Sequence, residues 1–293
     1  MKKLISIGLA AAVLLILCGC QPEINKTYEF KMAYQDTGEF TGDALIRAAG
    51  EIEMLTGGNV IIGVSPADDF STMDMVFMRA PDQFEVYRPF LITDYEEGRS
   101  AWIFGSDFYT RYDDLLAVKG QKLLGFFPAG FLGLGAKEID AETCFDFSVK
   151  KDALLSIPES GALRAVTEAM GFRGTPLVFS DIAFAMKTGL VQGWLGGGAQ
   201  TNFDEFRDVI EYYVDYRYAN DLFAVLIKKE LFDSLPPEYQ DAITQSFMTE
   251  SMAAIDEREA LDERALADLK NYGVTVLIPT REERGAMAAT LPR

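Results

Sequence analysis

FSDIAFAMKTGLVQGWLGGG, residues 179–198, is the stretch that decides the fold class. Residues 176–179 predict a short buried strand, and Ser180 is predicted to be the N-cap of the helix that follows. Four apolar residues then recur at the spacing of one helix face: Ile182, Ala185, Met186 and Leu190. Gly189 predicts the end of this helix, and residues 191–194 predict a very short strand that leads into three glycines. Such a strand–helix–strand unit favours an α/β fold.

This order of elements resembles a segment of the solute-binding proteins of TRAP transporters (tripartite ATP-independent periplasmic transporters). In that family the segment reads roughly E-x-x-x-A-L-x-x-G-x-V-D-G-x-E-N. The matching residues of this chain are Asp181, Ala185, Met186, Gly189, Val191 and Gly193. Gln192 replaces the family's Asp, and Gly196 falls where the family usually has its Asn. Because any α/β protein contains strand–helix–strand units, the rest of the chain is needed to support the resemblance.

Landmarks of the same family occur in the correct order from about Lys26 to the C-terminus. They are T-G-G at 56–58, P-F…D-Y-E-E at 89–97, a strand before 130–131, G-L-V-Q-G at 189–193, L-P-P-E at 235–238 and a G-V strand before Pro279. The resemblance implies a two-lobed α/β fold of the periplasmic-binding-protein-like, class II type. It also implies a long C-terminal helix that spans both lobes, and a ligand cleft between them. The implied divisions are 20–128 plus 222–262 for lobe I and 129–221 plus 263–293 for lobe II.

The N-terminus predicts a lipoprotein signal peptide over residues 1–19. Two lysines follow Met1, and the uncharged apolar run from Leu4 to Leu17 is shorter than the ~20 residues that a bilayer needs. The run ends in Leu17-Cys18-Gly19-Cys20, which fits a lipobox with Cys20 as the lipidated residue. Plain secretion with cleavage nearby is the alternative. We therefore expect a periplasmic or extracytoplasmic protein that is lipid-anchored to a bacterial membrane.

Composition excludes several classes of function. Once the leader is removed and Cys20 is lipidated, only Cys144 remains, so an internal disulfide is impossible and core burial must stabilise the fold. The formal charge is -18, without a basic run, so nucleic acid is not an expected partner. Histidine is absent, which excludes Ser-His-Asp and Cys-His catalysis and histidine-based zinc sites.

Carboxylate-only chemistry and Ser-Lys chemistry are the enzymatic alternatives that the composition leaves. The acidic doublets Asp68-Asp69, Glu96-Glu97 and Asp113-Asp114 lack the spacing of a calcium loop, and charged surface turns explain them better. Asp68, Asp69 or Asp181 would be the candidates for an enzyme, but the sequence contains neither a metal-ligand cluster nor a nucleophile elbow. We predict no catalytic residue, no metal and no cofactor.

The residues that replace two arginines of the family motifs bear on the polarity of the ligand. In the family, one strand ends in G-F-R and another in G-L-K-I-R-V-P, and both arginines approach the ligand carboxylate. Leu132 and Ser156 occupy those positions here. A buried carboxylate without its guanidinium would be destabilised by several kcal/mol. The sequence therefore favours an apolar or weakly polar organic ligand, and an arginine or lysine head group beside Leu132 and Ser156 would contradict this.

A cation from elsewhere is a possibility that the sequence leaves open. Lys150 and Lys151 precede a strand, and Arg164 lies on a helix that we expect to face solvent; Arg173 is the fourth candidate. The predicted ligand-binding residues are Tyr34, Phe40, Phe90, Phe131, Leu132, Ser156, Gln192, Trp194, Gly196, Tyr216 and Tyr218. Core packing is the alternative role for about half of them, because aromatic residues fill protein interiors.

The resemblance also implies partners. A TRAP solute-binding protein delivers its small organic ligand to membrane permease subunits. One branch of the family works with a tetratricopeptide-repeat periplasmic protein, lacks the carboxylate-binding arginine and has an apolar cleft, and this chain is similar to that branch. Two alternatives remain: a partner-binding lipoprotein scaffold without a transport ligand, and a conventional organic-acid-binding TRAP protein.

Overall fold

The computed structural model describes residues 26–35, 42–81 and 89–291. The predicted leader, Cys20 and Phe40 lie outside the described residues. In chain order, the described strands are β1 Tyr28–Tyr34, β2 Val60–Pro66, β3 Met75–Arg79, β4 Gln121–Phe131, β5 Gly133–Ala136, β6 Leu154–Ile157, β7 Arg173–Pro176, β8 Gly193–Gly197, β9 Tyr212–Val214, β10 Asn220–Lys228 and β11 Thr275–Leu277.

These strands form two sheets. The first has the order β2-β1-β3-β10-β4, with β1 parallel to both of its neighbours and β10 antiparallel to β3 and β4. The second has the order β11-β9-β5-β8-β6-β7 and is also mixed, because β6 runs parallel to β7 and β8 whereas β5 runs antiparallel to β8 and β9. The chain passes from the first sheet to the second between β4 and β5, and returns at β10. The division of the chain into lobes at the predicted residue boundaries remains a prediction.

Helices cover both sheets. They are α1 Asp43–Leu55, α2 Tyr95–Ala101, α3 Asp107–Ala117, α4 Gly161–Ala169, α5 Phe179–Thr188, α6 Ala199–Thr201, α7 Lys229–Asp233, α8 Pro237–Tyr272 and α9 Arg281–Thr290, with a π-helical segment at Asn202–Phe206. The helix α8 is the predicted long C-terminal helix, and it contacts β4 of the first sheet and β11 of the second. The predicted α/β class is confirmed. Among the described residues, no helix combines the length and apolarity that crossing a membrane requires.

Alternation and periodicity explain the main elements. In β1, Phe30, Met32 and Tyr34 are buried on one face, whereas the other face changes from the exposed Lys31 to the buried Ala33, so only the first part of the strand has one covered face. Along α8, buried apolar residues recur at helical spacing on the face that contacts the sheets. Each sheet is covered by its own apolar clusters, so each lobe has a core of its own.

The stretch that decides the fold differs in detail from its prediction. The helix α5 begins at Phe179 with Val178 at the N-cap, and no side chain caps it, so the prediction of Ser180 as the N-cap is wrong. The strand also ends earlier, at Pro176. Gly189 adopts a left-handed conformation (φ 77°) at the end of α5, which turns Leu190 out to solvent although Ile182, Ala185 and Met186 are buried.

Two lysines that were candidate cleft cations are adjacent in sequence but differ in environment. Lys150 is exposed, whereas Lys151 is buried and donates hydrogen bonds to the carbonyl oxygens of Asp146 (2.7 Å), Val149 (3.1 Å) and Met170 (3.1 Å). Burial lowers the pKa of Lys151. Its ammonium therefore closes a loop instead of facing a ligand.

Replacing Lys151 with Met should lower the free energy of unfolding by about 2 kcal/mol, because carbonyl oxygens that accept from a charged donor would lose their partner. The matched change Lys150→Met removes the same charge from an exposed site and should alter stability by less than about 0.5 kcal/mol. Urea denaturation of both variants measures the difference. Equal stabilities would show that the loop does not depend on this ammonium.

Candidate ligand-binding cleft

A cavity of about 740 Å³ lies between the two lobes. Its lobe II wall is apolar and consists of Leu132, Pro158, Leu163, Phe179 and Trp194, together with Gly196 and Gly197. Its lobe I wall is polar and consists of Arg79, Asp221 and Arg258, with Leu261 beside them. Gln200, Thr201, Asp204 and Glu205 complete the lining from α6 and the π-helical segment. The volume suits a small organic molecule.

Trp194 is the largest side chain of the apolar wall. Its ring lies edge-on to Phe179 (5.4 Å between centroids) and Phe206 (4.9 Å), and only 7% of the residue is exposed. The indole rests on the backbone of its own strand, since a Cβ at Gly196 would lie 2.5 Å from Trp194 Nε1 and one at Gly197 would lie 2.2 Å from Trp194 Cζ3. The glycines that follow Trp194 in sequence are therefore required for this close approach.

The two positions of the missing arginines differ in their surroundings. Leu132 is buried and lines the cavity. Ser156 is fully buried on β6, in register with Trp194 on β8 and Thr175 on β7, and does not line the cavity. Its hydroxyl has no hydrogen-bond partner among the described residues. The position that holds a guanidinium in the family is therefore enclosed by neighbouring strands here.

Leu132, Trp194 and Gly196 are the predicted ligand-binding residues that the structure brings together at the cavity. Gln192 instead joins strands: its side-chain oxygen accepts a hydrogen bond from Leu154 N (2.8 Å), so it positions the start of β6. Phe40 lies outside the described residues.

The remaining predicted aromatics pack in the interior of the lobes. The Tyr216 hydroxyl donates to Cys144 O (2.8 Å), and the Tyr218 hydroxyl donates to Leu195 O (3.3 Å), in the lobe II core. Phe90 has φ 55° and packs against that core, and Tyr34 lies in the core of the first sheet. Phe131 lies edge-on to Tyr95, with 4.9 Å between ring centroids. Ligand contact by these residues remains a prediction.

The cleft contains two arginines that the sequence motifs did not indicate. Arg79 at the end of β3 forms an ion pair with Asp221 of β10, and its guanidinium lies 5.0 Å from the ring of Phe223. Arg258 of α8 is only 5% exposed. The expectation of a cleft without a guanidinium is thus wrong for the lobe I wall, although it describes the lobe II wall.

The sequence contained a signal for one of these arginines. Arg258 and Asp262 fall on the same face of α8 as the buried Ile255 and Leu266, at helical spacing. A charged residue on an apolar helix face is unusual, because burying a charge is costly unless it is paired. Arg79 gave no comparable signal, since it ends a strand.

A buried carboxylate adjoins Arg258. Asp262 Oδ1 lies 3.9 Å from Arg258 Nη1, and the Tyr95 hydroxyl of α2 donates a hydrogen bond to Asp262 Oδ2. Burial raises the pKa of Asp262 to about 6, against the lowering effect of Tyr95 and Arg258.

The acidic residues considered for catalysis lie away from the cleft. Asp69 Oδ1 accepts from Ser71 N (2.9 Å) in a turn, and this contact lowers the pKa of Asp69. Asp181 is exposed on α5. Across the ranges that the structure describes, no group of three or more Cys, Asp or Glu side chains is arranged to hold a metal ion.

Comparison with known proteins identifies the family to which a chain with this fold and cleft belongs. The family model of the bacterial extracellular solute-binding proteins, family 7 (DctP), matches residues 40–292. The C4-dicarboxylate-binding periplasmic protein DctP of Rhodobacter capsulatus is 23% identical over 276 residues, which cover 91% of this chain and 73% of that protein.

Solved structures share the fold. A TRAP periplasmic solute-binding protein from Ochrobactrum anthropi superposes with a TM-score of 0.80 at 21% identity, covering 90% of this chain and 88% of that one. DctP7, a Bordetella pertussis extracytoplasmic solute receptor binding pyroglutamic acid, superposes with a TM-score of 0.69 at 18% identity, covering 90% and 93% of the two chains.

Replacing Gly196 with Asn, the residue usual in the family, should displace the Trp194 indole, because the new Cβ would overlap Nε1. We expect a red-shifted tryptophan emission and a loss of about 1–3 kcal/mol in stability. Gly50→Asn is the control, since a Cβ at Gly50 meets nothing within 4 Å. An unchanged emission maximum in Gly196→Asn would show that the indole does not depend on this glycine.

Proposed function

The chain belongs to bacterial extracellular solute-binding protein family 7, as a TRAP-type periplasmic solute-binding protein for a small ligand, and we propose that its ligand has an apolar body. The observation that carries the proposal is the apolar lobe II wall, where Leu132 stands at the position of a family arginine and the Trp194 indole lines the same cavity. The family is one of transport proteins and not a class of enzymes.

Desolvation is the proposed source of affinity on this wall. Burial of apolar surface contributes about 25 cal/mol per Å², so a body that covers ~100 Å² of apolar surface gains about 2.5 kcal/mol. Aromatic rings such as Trp194 and Phe179 supply large contact areas at little cost in side-chain entropy. A ligand that is apolar or weakly polar along this side is held without an ion pair from lobe II.

Ligand binding is favoured over a scaffold without a ligand by the cavity itself. A volume of about 740 Å³ between lobes, with one apolar wall and a few polar groups opposite, is the geometry of a small-molecule site. A conventional organic-acid receptor, which holds a carboxylate with arginines of lobe II, is supported less well, because both of those positions are occupied by Leu132 and Ser156.

We further propose that the protein is lipid-anchored through Cys20 and delivers its ligand to the membrane permease subunits of a TRAP-type importer. The lipobox at residues 17–20 supports the anchor. The replaced arginine positions also support a tetratricopeptide-repeat periplasmic protein as a further partner. Two or more acyl chains hold a protein on a membrane firmly, which keeps the receptor close to its permease.

Phe179→Ala should reduce the amount of small molecule that co-purifies with the full chain, by about tenfold, because it removes part of the apolar wall. The control Phe184→Ala alters the same helix outside the cavity, at a side chain that is 70% exposed against 47% for Phe179. Mass spectrometry of the detergent-extracted protein identifies and quantifies the molecule. An equal content in both variants would contradict the cleft assignment.

Cys20→Ser should abolish lipidation and release the chain from the membrane fraction, since the thioether that carries the lipid is no longer formed. Cys18→Ser removes the other cysteine of the lipobox region and should leave the protein membrane-bound. Fractionation and the intact mass of the purified protein report the outcome. Membrane retention of Cys20→Ser at an unchanged mass would refute the anchor.

A further inference from the structure

The lobe I wall of the cleft contains one arginine, Arg258, whose nearest carboxylate lies beyond hydrogen-bond distance. Arg258 is 5% exposed and borders both the main cavity and a smaller one of about 150 Å³ beside the first turn of α1. The distance from Arg258 Nη1 to Asp262 Oδ1 is 3.9 Å, beyond the range of a hydrogen bond. A buried charge in this state is costly unless a partner reaches it.

Several neighbouring charges are committed to other contacts, whereas Glu257, which lines the smaller cavity with Arg258, is exposed to solvent. Arg79, the other cleft arginine, is paired with Asp221. Asp256 and Glu259, which flank Arg258 on α8, are both paired with Arg99 of α2. Arg258 is thus the cleft cation whose pairing is loosest among the described residues.

Asp262 is held away from Arg258 by its other neighbours. The Tyr95 hydroxyl from α2 donates to Asp262 Oδ2, and the backbone of Gly130 in β4 lies against the same carboxylate. Arg217 and Asp215, from the segment between β9 and β10, are the further charged groups that act on it. Arg217 is itself bonded to Asp215 (2.8 Å).

We propose that Arg258 is the anion-recognising residue of the cleft, and that it exchanges Asp262 for a single anionic group of the ligand. The inference rests on the proposed function, and it specifies the ligand class as a monoanion with an apolar body. The anionic group pairs with Arg258 on lobe I while the body lies against Trp194 on lobe II. A dianion is disfavoured because its second charge would face the apolar wall or the carboxylates of Asp204 and Glu205.

A proton accompanies this exchange. When the ligand anion pairs with Arg258, Asp262 loses its positive neighbour and gains a negative one, so its pKa rises above the value of about 6 that burial gives it in the free protein. Below that pH the carboxyl is already protonated and affinity is complete. Above it, binding must take up a proton, and affinity falls by up to tenfold for each pH unit.

The test is a calorimetric titration of the full chain in detergent with matched pairs of probes. Phenylacetate and hexanoate carry the anion; phenylacetamide and hexanamide have nearly the same shape without the charge; succinate is the dianion. We expect each carboxylate to bind at least tenfold more tightly than its amide, and more tightly than succinate. Carboxylates stay ionised down to about pH 5, so the pH dependence belongs to the protein.

Arg258→Gln should abolish the preference for the carboxylate over the amide, whereas Arg264→Gln, at an exposed position of the same helix, should retain it. Asp262→Asn should remove the fall in affinity between pH 6 and 8. If Arg258 had only a structural role, Asp262→Asn would not change the pH dependence of ligand affinity. Circular dichroism verifies that each variant is folded.

Equal affinity for acid and amide, or an unchanged preference in Arg258→Gln, would overturn the assignment. Failure of every probe to bind would also overturn the monoanion class. In either event, the identity of the co-purified molecule tests the proposed function separately. A neutral molecule whose content falls in Phe179→Ala would support the proposed function without the monoanion. A monoanion released from the purified wild type would support both.

Discussion

The packing of the Trp194 indole onto the backbone of Gly196 and Gly197 constrains the rest of the cleft. Because the ring occupies the space that a side chain at Gly196 would need, the strand cannot also carry the family's Asn there. The enclosed Ser156, one strand away in register with Trp194, is consistent with the same arrangement. The large apolar side chain of Trp194 on β8 thus occurs together with the loss of polar groups at positions 132, 156 and 196. The lobe II wall therefore binds a ligand by burying apolar surface and not by ion pairing.

The opposite wall follows from the long helix. The helix α8 contacts both sheets, so its buried face must be apolar over most of its length. Arg258, which lines the cavity, and Asp262, one turn further along the helix, interrupt that face. Natural proteins retain such buried charges at functional sites more often than for stability, since well-packed apolar residues would stabilise the fold as much. The two walls of the cleft therefore have different chemistry, and a ligand that contacts both must be amphiphilic.

The sequence predicted the periodic features and missed those that depend on tertiary position. Alternation and helical spacing identified β1 and the long helix α8, and the landmark order identified the fold. Leu132 and Gly196 were predicted at the cleft because they fall at ligand-contacting positions of the family motifs, and Trp194 was predicted there as one of several candidate aromatic residues. Tyr216 and Tyr218 were also candidates, but they lie in the segment between β9 and β10, where no periodicity indicates whether an aromatic side chain faces the core or the cleft. Arg258 was missed because the ligand-binding arginine positions of the family motifs lie in lobe II, whereas this residue lies on α8.

The net charge of the protein bears on the class of ligand as well. A chain with a formal charge of -18 repels anions before they reach the cleft, and the repulsion grows with the charge of the ligand. Asp204 and Glu205 at the cavity add to this field. A dianion would meet twice the repulsion of a monoanion but find one loosely paired guanidinium, so its second charge gains nothing that offsets the cost. A monoanion loses less on approach and gains the desolvation of its apolar body, which is independent of charge. Long-range electrostatics and the local geometry of the cleft therefore favour the same ligand: one charge at one end and a hydrophobic surface along the other.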